Sequence, residues 1–111
     1  MRFQAHLLDA VGEAIIATDL IGTVIYWGPG AERLYGWSAT EVQGRCIVDV
    51  IPAMPGRLDS ADARARLARG EPWAGVMERR RKDGSTFFAQ LSVTPVLDDV
   101  GHFMGNISVS A

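Results

Sequence analysis

The stretch AIIATDLIGTVIYW, residues 14–27, decides the fold because it contains two strand-like runs joined by a short connection. The runs AIIAT (14–18) and TVIYW (23–27) are rich in β-branched and aromatic side chains, which favour extended strands. Between them lie Asp-Leu-Ile-Gly, residues 19–22, and a glycine at the end of a four-residue connection is typical of a hairpin. We therefore expect the folded domain to begin with two antiparallel strands.

The residues that follow this hairpin change from a strand pattern to a helical one. Gly-Pro-Gly at 28–30 cannot continue a strand, and residues 31–52 contain short helical pieces. Ser38 and Glu41 form the S-x-x-E pattern of a capping box at the start of one piece. A further helix is predicted over residues 60–69, before a glycine that can end it.

Three more strands are predicted toward the end of the chain, at about residues 73–81, 86–96 and 102–110. The turn Lys-Asp-Gly-Ser at 82–85 joins the first two, and Asp-Gly is a strong hairpin signal. Alternation with a period of two residues predicts one buried and one solvated face. The fold class is therefore α+β, a five-stranded antiparallel sheet with short helices over one face.

The first 12 residues are predicted to form an N-terminal amphipathic cap helix, and residues 13–111 to form a single domain. Phe3, Leu7 and Val11 lie on one face of this helix. We expect this face to pack against a second copy of the chain, because a lone apolar stripe often marks an interface. Packing against the chain's own sheet is the alternative.

Composition narrows the classes of function. The chain has 111 residues and is 48% hydrophobic, which suits one folded domain. A net charge of −2 gives no electrostatic case for nucleic-acid binding, and no apolar run approaches the roughly 18 residues of a membrane span. The single cysteine, Cys46, excludes an internal disulfide and fits a reducing compartment, so we expect a cytoplasmic location.

Four stretches of the sequence resemble the PAS family, in order and over nearly the whole chain. They are I-x-x-x-D-x-x-G-x-V-x-Y-W (15–27), GAERLYGWSATEVQGR (30–45), RRRKDGSTFF (79–88) and HFMGNISV (102–109). The resemblance implies the strand order 2-1-5-4-3 and a sensory domain without catalytic activity of its own. We expect a fragment of a bacterial signalling protein, such as a two-component system, whose output domain is a histidine kinase, a diguanylate cyclase or a phosphatase.

The resemblance also assigns roles to particular positions. Glu41 and Lys82 fall where related domains form a surface salt bridge between the helices and the sheet. The sequence departs from the family at Gly28, where many relatives carry Asn, and at Gly30, where Ala is usual.

Neither haem nor flavin is favoured by the residues at the family's cofactor positions. Haem-binding relatives take an axial His from the helix before the third strand, but His6 and His102 lie elsewhere. In light-sensing relatives the reactive Cys comes one residue after Cys46, where this chain has Ile47, and the flavin-binding amides correspond to Arg79, Ala89 and Ile107. The sequence also contains no metal-binding set and no catalytic motif.

The interior is predicted to be apolar and to lie between the helices and the sheet. The expected lining residues of a cavity there are Trp27, Leu34, Tyr35, Ile47, Val50, Leu67, Trp73, Met77, Leu91, Val93 and Ile107. Our leading hypothesis is a sensory domain that binds a partner or a small apolar ligand, such as a fatty acid or a small aromatic molecule. The alternatives are a ligand-free dimerisation domain with a filled core, and a flavin- or haem-based sensor.

Overall fold

The computed structural model describes residues 13–52 and 65–111 of the chain. The predicted cap helix, with Phe3, Leu7 and Val11, lies outside these residues, as does the first part of the predicted helix at 60–69, of which 65–68 are helical. The elements, in chain order, are β1 (Ala14–Asp19), β2 (Val24–Trp27), α1 (Pro29–Tyr35), α2 (Ala39–Val42), α3 (Ile47–Val50), β3 (Trp73–Arg80), β4 (Thr86–Leu97) and β5 (Phe103–Ser110).

The five strands form one antiparallel sheet in the order β2-β1-β5-β4-β3. This confirms the predicted fold class and strand order. Strand β5, the last in sequence, lies in the middle of the sheet and pairs with β1 on one side and β4 on the other.

The turn between β1 and β2 shows why the D-x-x-G pattern forms a hairpin. The Asp19 carboxylate accepts hydrogen bonds from the backbone N–H groups of Ile21 at 3.1 Å and Thr23 at 2.9 Å. Gly22 has a φ of 87°, a left-handed conformation that glycine adopts without a steric penalty. Aspartate therefore satisfies the turn's donors, and glycine supplies its backbone geometry.

The three short helices lie in the predicted helical region, except that α1 begins at Pro29, two residues before it. Pro29 occupies the first turn of α1, and Gly36 ends that helix with a φ of 82°. At the start of α2, Ser38 Oγ accepts from the Glu41 N–H at 3.2 Å, and Glu41 Oε1 accepts from the Ser38 N–H at 2.8 Å. The predicted capping box is therefore present.

The helices pack against one face of the sheet, which we call the inner face. Tyr35, at the end of α1, is fully buried, and its hydroxyl forms a 3.1 Å hydrogen bond with Ser110 Oγ at the end of β5. Trp27 Nε1 donates to the carbonyl oxygen of Trp37 at 2.8 Å. These two buried aromatic side chains therefore contribute both apolar contact and a satisfied hydrogen bond to the core.

A third connection ties the hairpin between β3 and β4 to the helical layer. The Lys82 N–H donates to the Tyr35 carbonyl oxygen at 2.9 Å, and the Lys82 ammonium forms an ion pair with Glu41. The pair is exposed, so its net contribution to stability is small. Within the described residues, no helix has the length and hydrophobicity that crossing a bilayer requires.

The Glu41–Lys82 pair makes the stability of the domain depend on pH in the acidic range. The hydrogen bond from Lys82, followed by that from the Ser38 N–H, lowers the pKa of Glu41 from 4.5 to about 2. A carboxyl whose pKa is lower in the folded state stabilises the fold above its unfolded pKa and loses that contribution as pH falls through the folded value. We expect urea denaturation to show that Glu41→Gln is destabilising near neutral pH and that this loss disappears between about pH 4.5 and pH 2. Glu41→Gln should destabilise the Lys82→Met variant less than it destabilises the wild-type protein. A loss of stability that does not depend on pH would contradict the prediction.

Gly105 is expected to be intolerant of any side chain. It has a φ of 147°, and a Cβ placed there would overlap the carbonyl oxygen of Thr18 on β1. Gly105→Ala should lower the free energy of unfolding by about 3 kcal/mol, from backbone strain and overpacking together. Gly101→Ala is the matched control, because Gly101 has a φ of 90° with open space around it and should lose only about 1 kcal/mol. Equal losses in the two variants would show that the contact with β1 does not constrain β5.

Candidate functional site

A cavity of about 140 Å³ lies between the inner face of the sheet and the first residue of α3. Its lining comes from the three central strands β1, β5 and β4, from the edge strand β3 and from α3. The lining residues are Ile16, Thr18, Ile47, Arg79, Leu91, Val93, Asn106 and Ser108.

Strand register explains how residues distant in sequence meet at this cavity. Ser108 on β5 lies opposite Ile16 on β1 and Val93 on β4, so the three side chains form one row across the sheet. Asn106 lies opposite Thr18 in the next inward-facing row. Antiparallel pairing therefore brings two polar β5 side chains in among aliphatic ones.

Ile47 reaches the cavity because the start of α3 is attached to the first hairpin. The Ile47 N–H donates to the Gly22 carbonyl oxygen at 2.8 Å, and Cys46 forms an isolated β-bridge with Thr23. This backbone attachment holds the otherwise short helix over the sheet.

The cavity is apolar on most of its surface and polar at Arg79 and Asn106. The Arg79 guanidinium lies over the Tyr35 ring, 5.7 Å from its centroid, and Arg79 Nη1 contacts the Met77 sulfur at 3.6 Å. Within the described structure, Arg79 Nε and Asn106 Oδ1 are buried and have no hydrogen-bond partner. Such atoms are uncommon in folded proteins because an unsatisfied buried polar group is destabilising.

The structure places three of the predicted lining residues, Ile47, Leu91 and Val93, at this cavity. The other predicted residues have different positions. Trp27, Tyr35 and Val50 are buried in the main core, with Leu34 packed against it. Trp73 and Met77 form a second buried cluster with Leu91, and Leu67 is half-buried and is not among the described lining residues. These side chains fill space instead of bordering the cavity.

The prediction that Ile107 lines the cavity is wrong. Ile107 lies opposite Ala17 on β1 and Thr94 on β4, on the face of the sheet away from the helices. Alternation along β5 then turns its neighbours, Asn106 and Ser108, inward. The inward amide also means that one reason for disfavouring flavin, an aliphatic side chain at this strand position, does not hold.

The predicted lining residues did not include Asn106, Thr18 or Ser108, and Arg79 was placed only at a position where related domains carry a flavin-binding amide. The alternating pattern of β5 separates Ile107 from Asn106 and Ser108, but it does not say which set faces the core. The signal that distinguishes them is Gly105, whose close approach to Thr18 fixes the pairing of β5 with β1.

The described lining residues contain no haem ligand and no thiol that could form a flavin adduct. They include neither a histidine nor a cysteine, so they offer no axial ligand for haem iron and no thiol for a flavin adduct. A cavity of about 150 Å³ holds a single benzene ring. The haem macrocycle and the three-ring system of flavin are both larger than that. His102 is exposed and lies 3.2 Å from the Asp98 carboxylate, and the described residues contain no cluster of three or more metal-binding side chains.

Nearly the whole chain matches known proteins in sequence and in structure. The family model for the PAS fold matches residues 2–109. The chain is 31% identical to the sensor protein FixL of Bradyrhizobium diazoefficiens over 97 residues, covering 81% of this chain and 19% of that protein. It is 29% identical to the aerotaxis receptor of Escherichia coli strain K12 over 93 residues, covering 83% of this chain and 18% of the receptor. The chain thus spans less than a fifth of the length of these relatives.

Solved structures agree with the sequence match. A PAS domain from Colwellia psychrerythraea superposes with a TM-score of 0.81 at 26% identity, covering 97% of this chain and 92% of that one. A light-oxygen-voltage domain, described in a study of a flavin analogue, superposes with a TM-score of 0.79 at 26% identity, covering 96% and 81%. The match in sequence extends over nearly all of the chain, and the sheet has the strand order expected for the family. The chain therefore belongs to the PAS family and is a sensory signalling domain, not itself a catalytic one.

Proposed function

We propose that this domain senses a small molecule bound in the cavity between the helices and the inner face of the sheet. The observation that carries the proposal is the cavity of about 140 Å³ with a mainly aliphatic lining. At its border, Arg79 Nε and Asn106 Oδ1 are buried without a partner among the described residues. A concave, mostly apolar space with a few convergent polar groups is the usual form of a small-molecule site. This favours a ligand-binding role over a ligand-free interaction domain.

The signal is proposed to pass through the elements that the ligand contacts. Ile47 belongs to the helical layer and Ser108 to the central strand, so a ligand between them touches both layers of the domain. A ligand shifts a conformational equilibrium only as far as it binds one state better than the other. A tighter fit between these two layers in the bound state supplies such a difference.

The output of this signal is assigned by analogy with the family. We propose that the domain is part of a longer bacterial protein in the cytoplasm, which its resemblance to receptor and sensor proteins of two bacteria supports. A reducing compartment suits the free thiol of Cys46. A histidine kinase, a diguanylate cyclase or a phosphatase is the proposed output domain, and a two-component system the proposed pathway type.

Partner contacts are proposed to involve a second copy of the chain. Phe3, Leu7 and Val11 form the expected apolar stripe outside the described residues. On the face of the sheet away from the helices, Val76 is exposed, which leaves apolar surface for a contact.

Filling the cavity is expected to block ligand binding without unfolding the domain. Ser108→Leu places an aliphatic side chain in the space, so it should weaken binding of toluene or benzoate about tenfold or more and leave the melting temperature unchanged or higher. Binding is measured by titrating each probe into isotope-labelled protein and following amide chemical shifts. Ser92→Leu is the matched control, because Ser92 is exposed and pairs with Val109 away from the cavity.

Two results would decide against a ligand-sensing role. One is that neither probe shifts any resonance of the cavity residues in the wild-type protein. The other is that Ser108→Leu lowers the melting temperature as much as overpacking a filled core does, by several degrees. Mass spectrometry of denatured protein provides an independent measurement, because a stoichiometric small molecule that copurifies supports the proposal.

The dimer proposal is tested with the 111-residue chain by analytical ultracentrifugation. We expect a dimer in the wild-type protein and a monomer in Leu7→Glu, because a charge in an apolar interface is poorly solvated. Ala5→Glu adds the same charge on the opposite face of the predicted helix and should remain a dimer. A monomeric wild-type chain, or equal behaviour of the two variants, would contradict the assignment of this stripe to the interface.

A further inference from the structure

We infer that the ligand of the cavity is a small hydroxylated carboxylate of single-ring size, with its carboxylate at Arg79 and its hydroxyl at Asn106. The inference rests on the proposed function, and it replaces the expectation of a purely apolar ligand. It follows from the polar atoms that the structure leaves unsatisfied, from the charge of Arg79 and from the size of the cavity.

The Nε edge of the Arg79 guanidinium is suited to binding an anion. Its Nη1 contacts the Met77 sulfur, so the guanidinium edge that includes Nε is the edge without a partner in the described structure. The ion pairs found among the described residues use Arg69, Lys82 and His102, not Arg79. The planar guanidinium edge matches a carboxylate, which can accept two parallel hydrogen bonds from it.

Glu78 does not provide that carboxylate. It is the residue before Arg79 on β3 and pairs with Phe88, so its side chain points to the opposite face of the sheet. A bound anion is therefore the partner that would compensate the charge of Arg79 within the cavity.

The Asn106 side chain is suited to accepting a hydrogen bond from the ligand. Its Oδ1 is a hydrogen-bond acceptor that is buried without a partner in the described structure. A carboxylate has no proton to give, so one functional group cannot satisfy both Arg79 and Asn106. The ligand therefore carries a second group, and a hydroxyl is the smallest that donates.

The two groups lie at different places on the ligand. Arg79 is on β3 and Asn106 is on β5, and β4 separates these strands, so the two lining side chains approach the cavity from different strands. Between them the lining is aliphatic, from Ile16 and Val93. An apolar body with an acid and a hydroxyl at different places fits this arrangement.

The cavity volume limits that body to one ring. About 140 Å³ is close to the roughly 150 Å³ that accommodates benzene in an aliphatic protein cavity. A long-chain fatty acid exceeds this space. A hydroxybenzoate, or an aliphatic hydroxy acid of the same size, has the required volume and polarity.

Three probes of nearly equal size separate the contributions in the wild-type chain. These are toluene, benzoate and 4-hydroxybenzoate, with dissociation constants from chemical-shift titration. We expect benzoate to bind about tenfold or more tightly than toluene, because a hydrogen bond to a charged group is worth more than a neutral one. The added hydroxyl should tighten binding further, by about threefold to tenfold.

Two variants assign these gains to residues. Arg79→Met should abolish the preference for benzoate over toluene, and Asn106→Leu should abolish only the preference for 4-hydroxybenzoate over benzoate. Arg80→Met and Gln90→Leu are the controls, because both residues are exposed and neither lines the cavity. If Arg79→Met does not fold, Arg79→Lys keeps the charge and lacks Nε, so it should lose part of the benzoate preference.

The outcomes distinguish this inference from the function on which it rests. Toluene binding as tightly as both acids would overturn the hydroxy-acid ligand and leave the sensing cavity standing. Preferences that survive in Arg79→Met and Asn106→Leu would overturn it as well. Binding of none of the three probes would overturn both proposals.

Discussion

The contact between Gly105 and the backbone of Thr18 governs the centre of the sheet. β5 lies between β1 and β4, so its register determines which of its side chains face the helices. A side chain at position 105 would collide with the Thr18 carbonyl oxygen, and glycine allows the two strands to approach. With this register, Asn106 and Ser108 face the cavity and Ile107 faces away. A shift of one residue would reverse every one of these side chains.

The helical layer is held over this sheet by a few directed contacts in addition to apolar burial. The helices have only four to seven residues each, which is too short for stability on their own. Their positions depend on the Tyr35–Ser110 hydrogen bond, the Ile47–Gly22 backbone hydrogen bond and the Lys82–Tyr35 backbone hydrogen bond. Each of these joins the end of a helix to a strand or a turn. The space that remains between such attachment points is the cavity.

Local signals in the sequence predicted most of the fold correctly, because they depend on neighbouring residues. Asp19 with Gly22 specifies a turn, and Ser38 with Glu41 specifies a helix start, whatever the rest of the chain does. The strand order also agreed with the resemblance to the family. The orientation of β5 could not be predicted in this way, because it depends on pairing with β1, some ninety residues earlier in the chain. A preference for burying Ile107 over Asn106 is reasonable for a filled core and fails where the strand borders a polar cavity.

Arg79 connects the chemistry of the cavity to the packing of the helices. Its guanidinium lies over the Tyr35 ring, and the Tyr35 hydroxyl bonds to Ser110, the last residue of β5. Under the proposed function, an anion that draws the guanidinium toward the cavity changes its contact with a ring that supports both α1 and the end of the central strand. Closely packed interiors respond to such a change by moving between discrete arrangements, because they do not deform smoothly. An arginine whose Nε lacks a partner among the described residues is therefore poorly suited to maximal stability and well suited to sensing, because the same guanidinium also contacts a core tyrosine.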